Sequence, residues 1–491
     1  MVRAVTGRTD HVVVVGAGLA GLSAALHLRG AGREVTVVER AAHPGGLAGR
    51  EDVDGFRVDT GPTVLTMPEL LDDALAAVGE RVTDRLELLP LHPAYRARFA
   101  DGSELDVHTG AAEMERAVAA FAGDAEAEGY RKLRAWLTRM YEVERDRFIG
   151  GNFDSPLDLV GPDLARLAAL GGFGRLSSAV GRFLSDERLR RVFSFQSLYA
   201  GVAPRHALGA YAVIAYMDTV AGVFFPRGGM RRVPQALADA AAAAGVKFHL
   251  DTPVTALERS GDRVTAVRTP AERIACDALV LATGPAESAR LLERPSRRPL
   301  RLRWSPSAVV VHLAASELSP GAAHHTISFG GAWDGTFDEI IREGVLMRDP
   351  SLLLTTPSLT DPDLAPPGEH LQYLLAPCPN LETAPLRWDL IGERYAEEVV
   401  DRVVRRGLVP SSTSVRRLSL MTPADWARTG QAAGTPFSAA HTFAQTGPFR
   451  PRNLVSRGGN VVLAGSGTTP GVGIPPVLIS GRLAAARVTG G

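Results

Sequence analysis

The feature that most constrains this chain is a run of β-branched residues that breaks directly into spaced glycines. His11-Val-Val-Val-Val15 reads as a short buried parallel strand, and Gly16-Ala-Gly18-Leu19-Ala20-Gly21 follows at once. A helix then carries Leu19, Leu22 and Leu26 on one face, and Glu34-Val-Thr-Val-Val-Glu39 reads as a second strand. Each glycine has its own duty in such a unit. Gly16 permits the tight turn, Gly18 lets the backbone approach a pyrophosphate, and Gly21 lets the helix lie close on the sheet. The pyrophosphate would sit at the helix N-terminus, where free N–H groups and the dipole favour negative charge. Glu39 ends the second strand eighteen residues beyond Gly21, where a carboxylate accepts a ribose hydroxyl and repels a 2′-phosphate. Strand, helix, strand and acid together predict a dinucleotide-binding α/β domain.

The chain has 491 residues, so two to four compact units are expected. Lys+Arg 54 against Asp+Glu 54 leaves no net charge, which argues against a nucleic-acid partner. Cys276 and Cys378 make neither a disulfide framework nor a four-cysteine zinc site, and a reducing, cytoplasmic setting is expected. Arg3 and Arg8 before an uncharged stretch resemble a secretory signal, but a signal core does not call for glycines at fixed spacing. The uncharged run from Gly458 to Gly481 has the length of a membrane span, yet Pro470, Pro475 and Pro476 interrupt it. No transmembrane helix is expected.

Which dinucleotide binds is indicated further along. Arg40 is followed by His43-Pro-Gly45-Gly46, and then by Thr60-Gly61-Pro62-Thr63-Val64. A glycine pair just after the second strand resembles the two-dinucleotide-domain flavoproteins, where it lies near FAD. Asn460-Val-Val-Leu-Ala-Gly465, then Gly473-Ile474-Pro-Pro476 and a helix from about Val477, resembles the C-terminal FAD motif of the same superfamily. Two glycine-rich elements far apart in the chain imply one cofactor bridged by both, FAD rather than NAD. Between them, a helix over Val233–Ala244, strands at Val246–Leu250, Val254–Glu258 and Arg263–Arg268, and a strand ending at Thr283-Gly284 look like the rest of the cofactor domain. Val254 joins the candidate cofactor contacts there. The fold class expected is α/β, a Rossmann-like two-dinucleotide-binding-domain flavoprotein with an inserted α+β substrate lobe. The cofactor domain would be split over 1–75, 226–290 and 455–491, and the substrate lobe would take 76–225 and 291–454.

A more specific resemblance rests on blocks spread along the whole chain. Gly55-Phe-Arg-Val-Asp-Thr-Gly-Pro-Thr-Val64, Phe193-Ser-Phe-Gln-Ser-Leu198 and Gly222-Val-Phe-Phe-Pro-Arg-Gly-Gly229 are three of them. Ala323-His-His-Thr326, Thr360–Pro366, Gly434–Ser438, Phe449–Asn453 and Gly467–Gly471 are the others. They resemble bacterial-type phytoene desaturases, most of all the actinobacterial ones. That resemblance implies an FAD-dependent enzyme taking phytoene to lycopene or intermediates, in carotenoid biosynthesis. The chain departs from the family pattern in four places. Leu47 stands where Gly-Gly-Arg is common, leaving Arg50 as a substitute cation; Thr469 and Asn380 stand where histidines are common; and Asp158 lacks the arginine partner seen in some members.

The implied reaction passes a hydride to the flavin, leaves a cation spread over a growing polyene, and then loses the neighbouring proton to a base or water. A carboxylate beside a long apolar tunnel would have its pKa raised by desolvation and could serve as that base. Asp218, in an apolar stretch before the Gly222–Gly229 block, is the leading candidate; the alternative is a cap or an ion pair with Arg227. Asp158 is the second candidate. His324 and His325, adjacent on one strand, would face opposite ways and cannot chelate one metal, so no metal site is expected. A forty-carbon hydrocarbon, at about 0.8 kcal/mol per buried CH₂, prefers oil to water by tens of kcal/mol and must pass from bilayer to enzyme directly. Peripheral membrane binding is therefore expected, with the arginine-rich apolar segment Leu164–Phe183 as either the interfacial element or a buried helix pair. Oxygen or a quinone would reoxidise the flavin. Competing functions are a carotenoid isomerase using reduced FAD, a flavin amine oxidase, and a non-catalytic lipid or prenyl-protein binder. The amine oxidase would require a lysine near the flavin, and Lys132 and Lys247 are the only lysines.

Overall fold

Five parallel strands stand in the order Val461–Leu463, Ala278–Leu281, His11–Val15, Glu34–Val38, Lys247–His249, in a computed structural model that describes residues 2–293 and 301–490. The central strand pairs on both sides, Val12 with Val35 and with Ala278. Its valines are buried on both faces, which is why the sequence shows an unbroken apolar run instead of alternation. Val12 and Val14 pack with Leu22 and Leu26 of the helix Leu19–Gly30. Val13 and Val15 face the other way, onto Val264, Val267 and Ile274 of a three-stranded antiparallel sheet, Ala256–Ser260, Arg263–Arg268 and Arg273–Ala275.

The helix Ile474–Thr489 lies against Leu19–Gly30 so closely that a Cβ on Gly481 would collide with the Ala20 carbonyl. Ser23 Oγ donates to the Leu478 carbonyl at 2.8 Å across the same contact. This helix begins three residues before the expected Val477, with Pro475 and Pro476 in its first turn. There their missing N–H groups cost nothing, since no helical acceptor exists for them.

A second sheet of seven strands runs Val415–Met421, Ser307–Ala315, His370–Cys378, Leu352–Thr355, His325–Ser328, Tyr95–Arg98, Glu104–Val107. It is antiparallel except where His325–Ser328 meets Tyr95–Arg98. One face carries the helix Trp388–Arg405, whose Tyr395, Val399 and Val403 close a separate core on Val309, Val311 and Leu374. The long helix Asp124–Glu144 and the shorter Ala212–Tyr216 belong to the main core, and Tyr141 stacks on Tyr216 between them at 4.3 Å.

Candidate functional site: a glycine-lined groove opening into an apolar cavity

A cavity of about 1650 Å³ runs from the first glycine turn through the lobe between the two large sheets. Pockets for one drug-sized ligand hold roughly 300–1,000 Å³, so this space suits two long ligands end to end.

One end is made of backbone. Gly16 has φ +104°, and a Cβ there would lie 2.8 Å from the Ala282 carbonyl. Gly18 differs: an added Cβ would meet only the Gly46 Cα, at 3.7 Å, and otherwise project into open space along the groove. Gly21 lies behind the groove, where a Cβ would strike the Gly16 carbonyl, so its duty is packing and not contact. Gly45 N–H donates to the Ala17 carbonyl at 2.9 Å, bringing the second glycine pair onto the first turn. Glu39 takes N–H bonds from Ala17 at 2.7 Å and Ala41 at 2.9 Å, and its carboxylate still lines the groove. Leu19, Ala20 and Arg40, with Gly61, Pro62, Thr63 and Val64, line the same space. Val254 borders it, and from the far end of the chain so do Gly465, Gly473 and Ile474. The two glycine-rich elements therefore do converge. A cradle that a Cβ at Gly18 would fill, a helix start without a side-chain cap, and a wall carboxylate fit a dinucleotide's pyrophosphate and ribose. Where Leu47 replaces an arginine, Arg50 and Arg231 both line the groove. Arg50 reaches Asp52 at 3.0 Å, while burial and then Arg50 itself lower the pKa of Arg231, whose Nε has no partner.

The rest of the cavity is apolar, with buried acids set in its wall. Asp218 sits in a wide helical turn, Met217–Ala221, and lines the cavity. Burial pushes its pKa up to about 8, against hydrogen bonding from Gln196 Nε2, 3.2 Å from Oδ2. The alternative partner is occupied elsewhere, because Arg227 binds Glu87 at 2.6 Å. Asp158 is not brought to this space. It is exposed, and its Oδ2 accepts from the Asp154 and Ser155 N–H groups at 2.7 and 3.0 Å, which makes it a helix cap. Arg147 donates to the Asp158 carbonyl at 2.7 Å, not to its carboxylate. Glu144, which the sequence did not single out, is buried and lines the cavity. So do Tyr211 and His441, again unforeseen. The stripe Tyr130, Leu133, Leu137, Met140, Glu144 is the signal that could have found the glutamate, since it places an acid on the buried face of a helix.

His324 lies just before the strand His325–Ser328, so strand alternation does not separate the two rings; they meet edge to face at 4.5 Å. Their Nδ1 atoms bond Thr360 and Thr355 at 2.6 and 2.9 Å, and neither ring lines the cavity. Asn380 is likewise structural, taking the N–H groups of Glu382 and Thr383 on its side-chain oxygen. Within Leu164–Phe183, Phe173 lines the cavity and is 48% exposed; Leu157 and Val160, just ahead of that segment, are exposed by 77% and 63%. Leu167, Leu176 and Val180 of the same segment are instead core. The segment is thus neither all interfacial nor all buried.

The chain matches the family of flavin containing amine oxidoreductases over residues 19–489. It is 64% identical to a phytoene dehydrogenase of Streptomyces griseus, over 99% of this chain and 96% of that protein. It is 35% identical to a zeta-carotene-forming phytoene desaturase of Myxococcus xanthus, over 97% and 93% of the two chains. Among solved structures an oxidoreductase from Methanosarcina mazei superposes with a TM-score of 0.64 at 17% identity, covering 96% and 98% of the two chains, which shows the shared fold.

Proposed function

The chain belongs to the flavin containing amine oxidoreductases, and we infer that it is an FAD-dependent carotenoid desaturase taking phytoene to lycopene or to intermediates on the way. The observation that carries this reading is the cavity. Its glycine-lined groove suits a dinucleotide, and its apolar remainder suits a long hydrocarbon laid against the cofactor's reactive end. FAD bound there supplies the acceptor for a hydride. The chain's own part is to align the polyene, exclude water and face the developing positive charge with a carboxyl. We assign that last part to Asp218, on the strength of its burial in the cavity wall and its raised pKa. Neither lysine serves an amine-oxidase mechanism, since Lys132 pairs with Glu128 and Lys247 with Glu34, both away from the cavity. We read residues 1–75, 226–290 and 455–491 as the cofactor domain and the remainder as the substrate lobe.

The same reading includes a bilayer. None of the described helices is long and apolar enough to cross a membrane. The exposed Phe173, Phe443 and Phe449, which line the cavity, and the exposed Leu157 and Val160 earlier in the chain support a peripheral contact through which substrate enters. A quinone, which shares the bilayer, or oxygen would take up the electrons. Purified protein incubated with FAD, phytoene and liposomes should yield products with lengthened conjugation. Products of unchanged oxidation level would favour an isomerase, and no conversion would refute both.

A further inference from the structure

We propose that Glu144 takes the proton released in each desaturation; this rests on the desaturase reading above. Glu144 closes the helix Asp124–Glu144, is only 6% exposed and lines the cavity. Its Oε1 has no hydrogen-bond partner, and among the described residues no cation pairs with it. A carboxyl buried without a partner is costly to a fold. Asp218 is different, because Gln196 occupies its oxygens. Between Asp218 and Glu144, Glu144 is the one with an oxygen free to bond a proton from the substrate.

Burial alone raises the pKa of Glu144 well above the usual range. Tyr211 lines the same cavity, and its phenol is raised by burial first and in smaller part by Glu144. Tyr211 Oη is hydrogen-bonded to Thr446 Oγ1 and lies 2.9 Å from His441 Nδ1. His441 is buried, and burial with the nearby Arg450 keeps its ring neutral; Arg450 itself bonds the Thr468 and Ser466 carbonyls. His441 Nε2 has no partner, and its imidazole packs against Gly471, where a Cβ would collide with the ring. The loop that carries Thr469 in place of a common histidine is thus met by a histidine from another part of the chain.

The step balances as follows. With the allylic hydride gone, the C–H bond on the neighbouring carbon breaks, its electron pair becomes the new π bond, and its proton bonds Glu144 Oε1. The carboxylate form is needed at that moment, and the adjacent carbocation favours it although the apolar wall opposes it. Glu144 gives up that proton before the next turnover, restoring the carboxylate.

Glu144→Gln holoenzyme in phytoene liposomes should keep its FAD and melt at or above the wild-type temperature, since a lone buried acid has been removed. Its single-turnover formation of the desaturated product should slow by about 10²–10⁴-fold, the scale for losing a positioned acid–base group. The wild-type rate of that step should rise with pH, and the rise should be absent in the variant. Glu144→Asp should restore part of both. A Glu144→Gln protein with wild-type rate of product formation and pH profile overturns the proposal. If Glu144→Gln does not fold, wild-type rate and pH profile in Glu144→Ala overturn it instead. Wild-type holoenzyme that never reduces its flavin with phytoene overturns the desaturase reading, and the proposal with it.

Discussion

The two ends of the cavity recognise in opposite ways. At the glycine end the backbone itself approaches the ligand, and the residues there are small because larger ones would fill the groove or strike a carbonyl, as at Gly18 and Gly16. At the apolar end the wall is made of side chains, with a few polar groups held out of water, as at Asp218 and Glu144. The first end tolerates almost no change of residue type. The second tolerates many apolar exchanges but is sensitive to a single charge.

The largest expected effect is at Gly18. Gly18→Val should fold, because a Cβ there touches only Gly46 Cα, yet should purify with almost no flavin absorbance. Gly21→Val sharpens the contrast by failing to fold, since its Cβ strikes the Gly16 carbonyl. A yellow Gly18→Val protein would break the distinction between groove and packing glycines.

Next comes Asp218→Asn, which should retain FAD while turnover falls by about tenfold to a thousandfold. Single-turnover flavin reduction on the same preparation checks it, and a normal rate removes Asp218 from the mechanism. A smaller effect, a several-fold loss of liposome co-sedimentation with flavin content kept, is expected when Leu157, Val160 and Phe173 become serine. Leu167 is excluded from that set because it is core. Unchanged sedimentation would move the bilayer contact elsewhere.

The smallest effect is on stability against pH. Asp218 titrates near 8 when folded against 3.8 as its ordinary value, so the folded state holds a proton that the unfolded state has lost between those limits. Stability should therefore fall as pH rises through that window, and Asp218→Asn should flatten the fall. A residual slope should remain from Asp59, whose carboxyl burial raises to about 6, and from Glu144, which burial raises well above its ordinary range. Melting curves of both proteins at stepped pH measure this.

The same contrast explains what could be read before the structure. Gly16, Gly18, Gly21 and Glu39 were legible because backbone geometry leaves few alternatives at those positions. The start of the last helix was displaced from Ile474 to Val477 because Pro475 and Pro476 read as breakers when they occupy a permitted first turn. Asp158 stood out on resemblance to a segment, but its carboxyl is spent on two backbone N–H groups in its own turn. Glu144 was hidden among the surface acids of its helix, Glu126, Glu128 and Glu142, and only its register with Met140 and Leu137 tells it apart. His441 reaches its loop by tertiary approach, which no local pattern reports.

The parallel sheet has a consequence for how the chain comes to be folded. Its edge strand Val461–Leu463 pairs with Ala278–Leu281, yet the whole seven-stranded sheet except Tyr95–Arg98 and Glu104–Val107 is made between them. During synthesis the first strand and glycine turn emerge early and wait, with one sheet edge bare, until nearly all of the protein has left the ribosome. Such long-range pairing is slow and leaves a nascent chain open to misassembly. Cofactor captured on closure would then act as a latch, drawing the late strand home by mass action and holding it there.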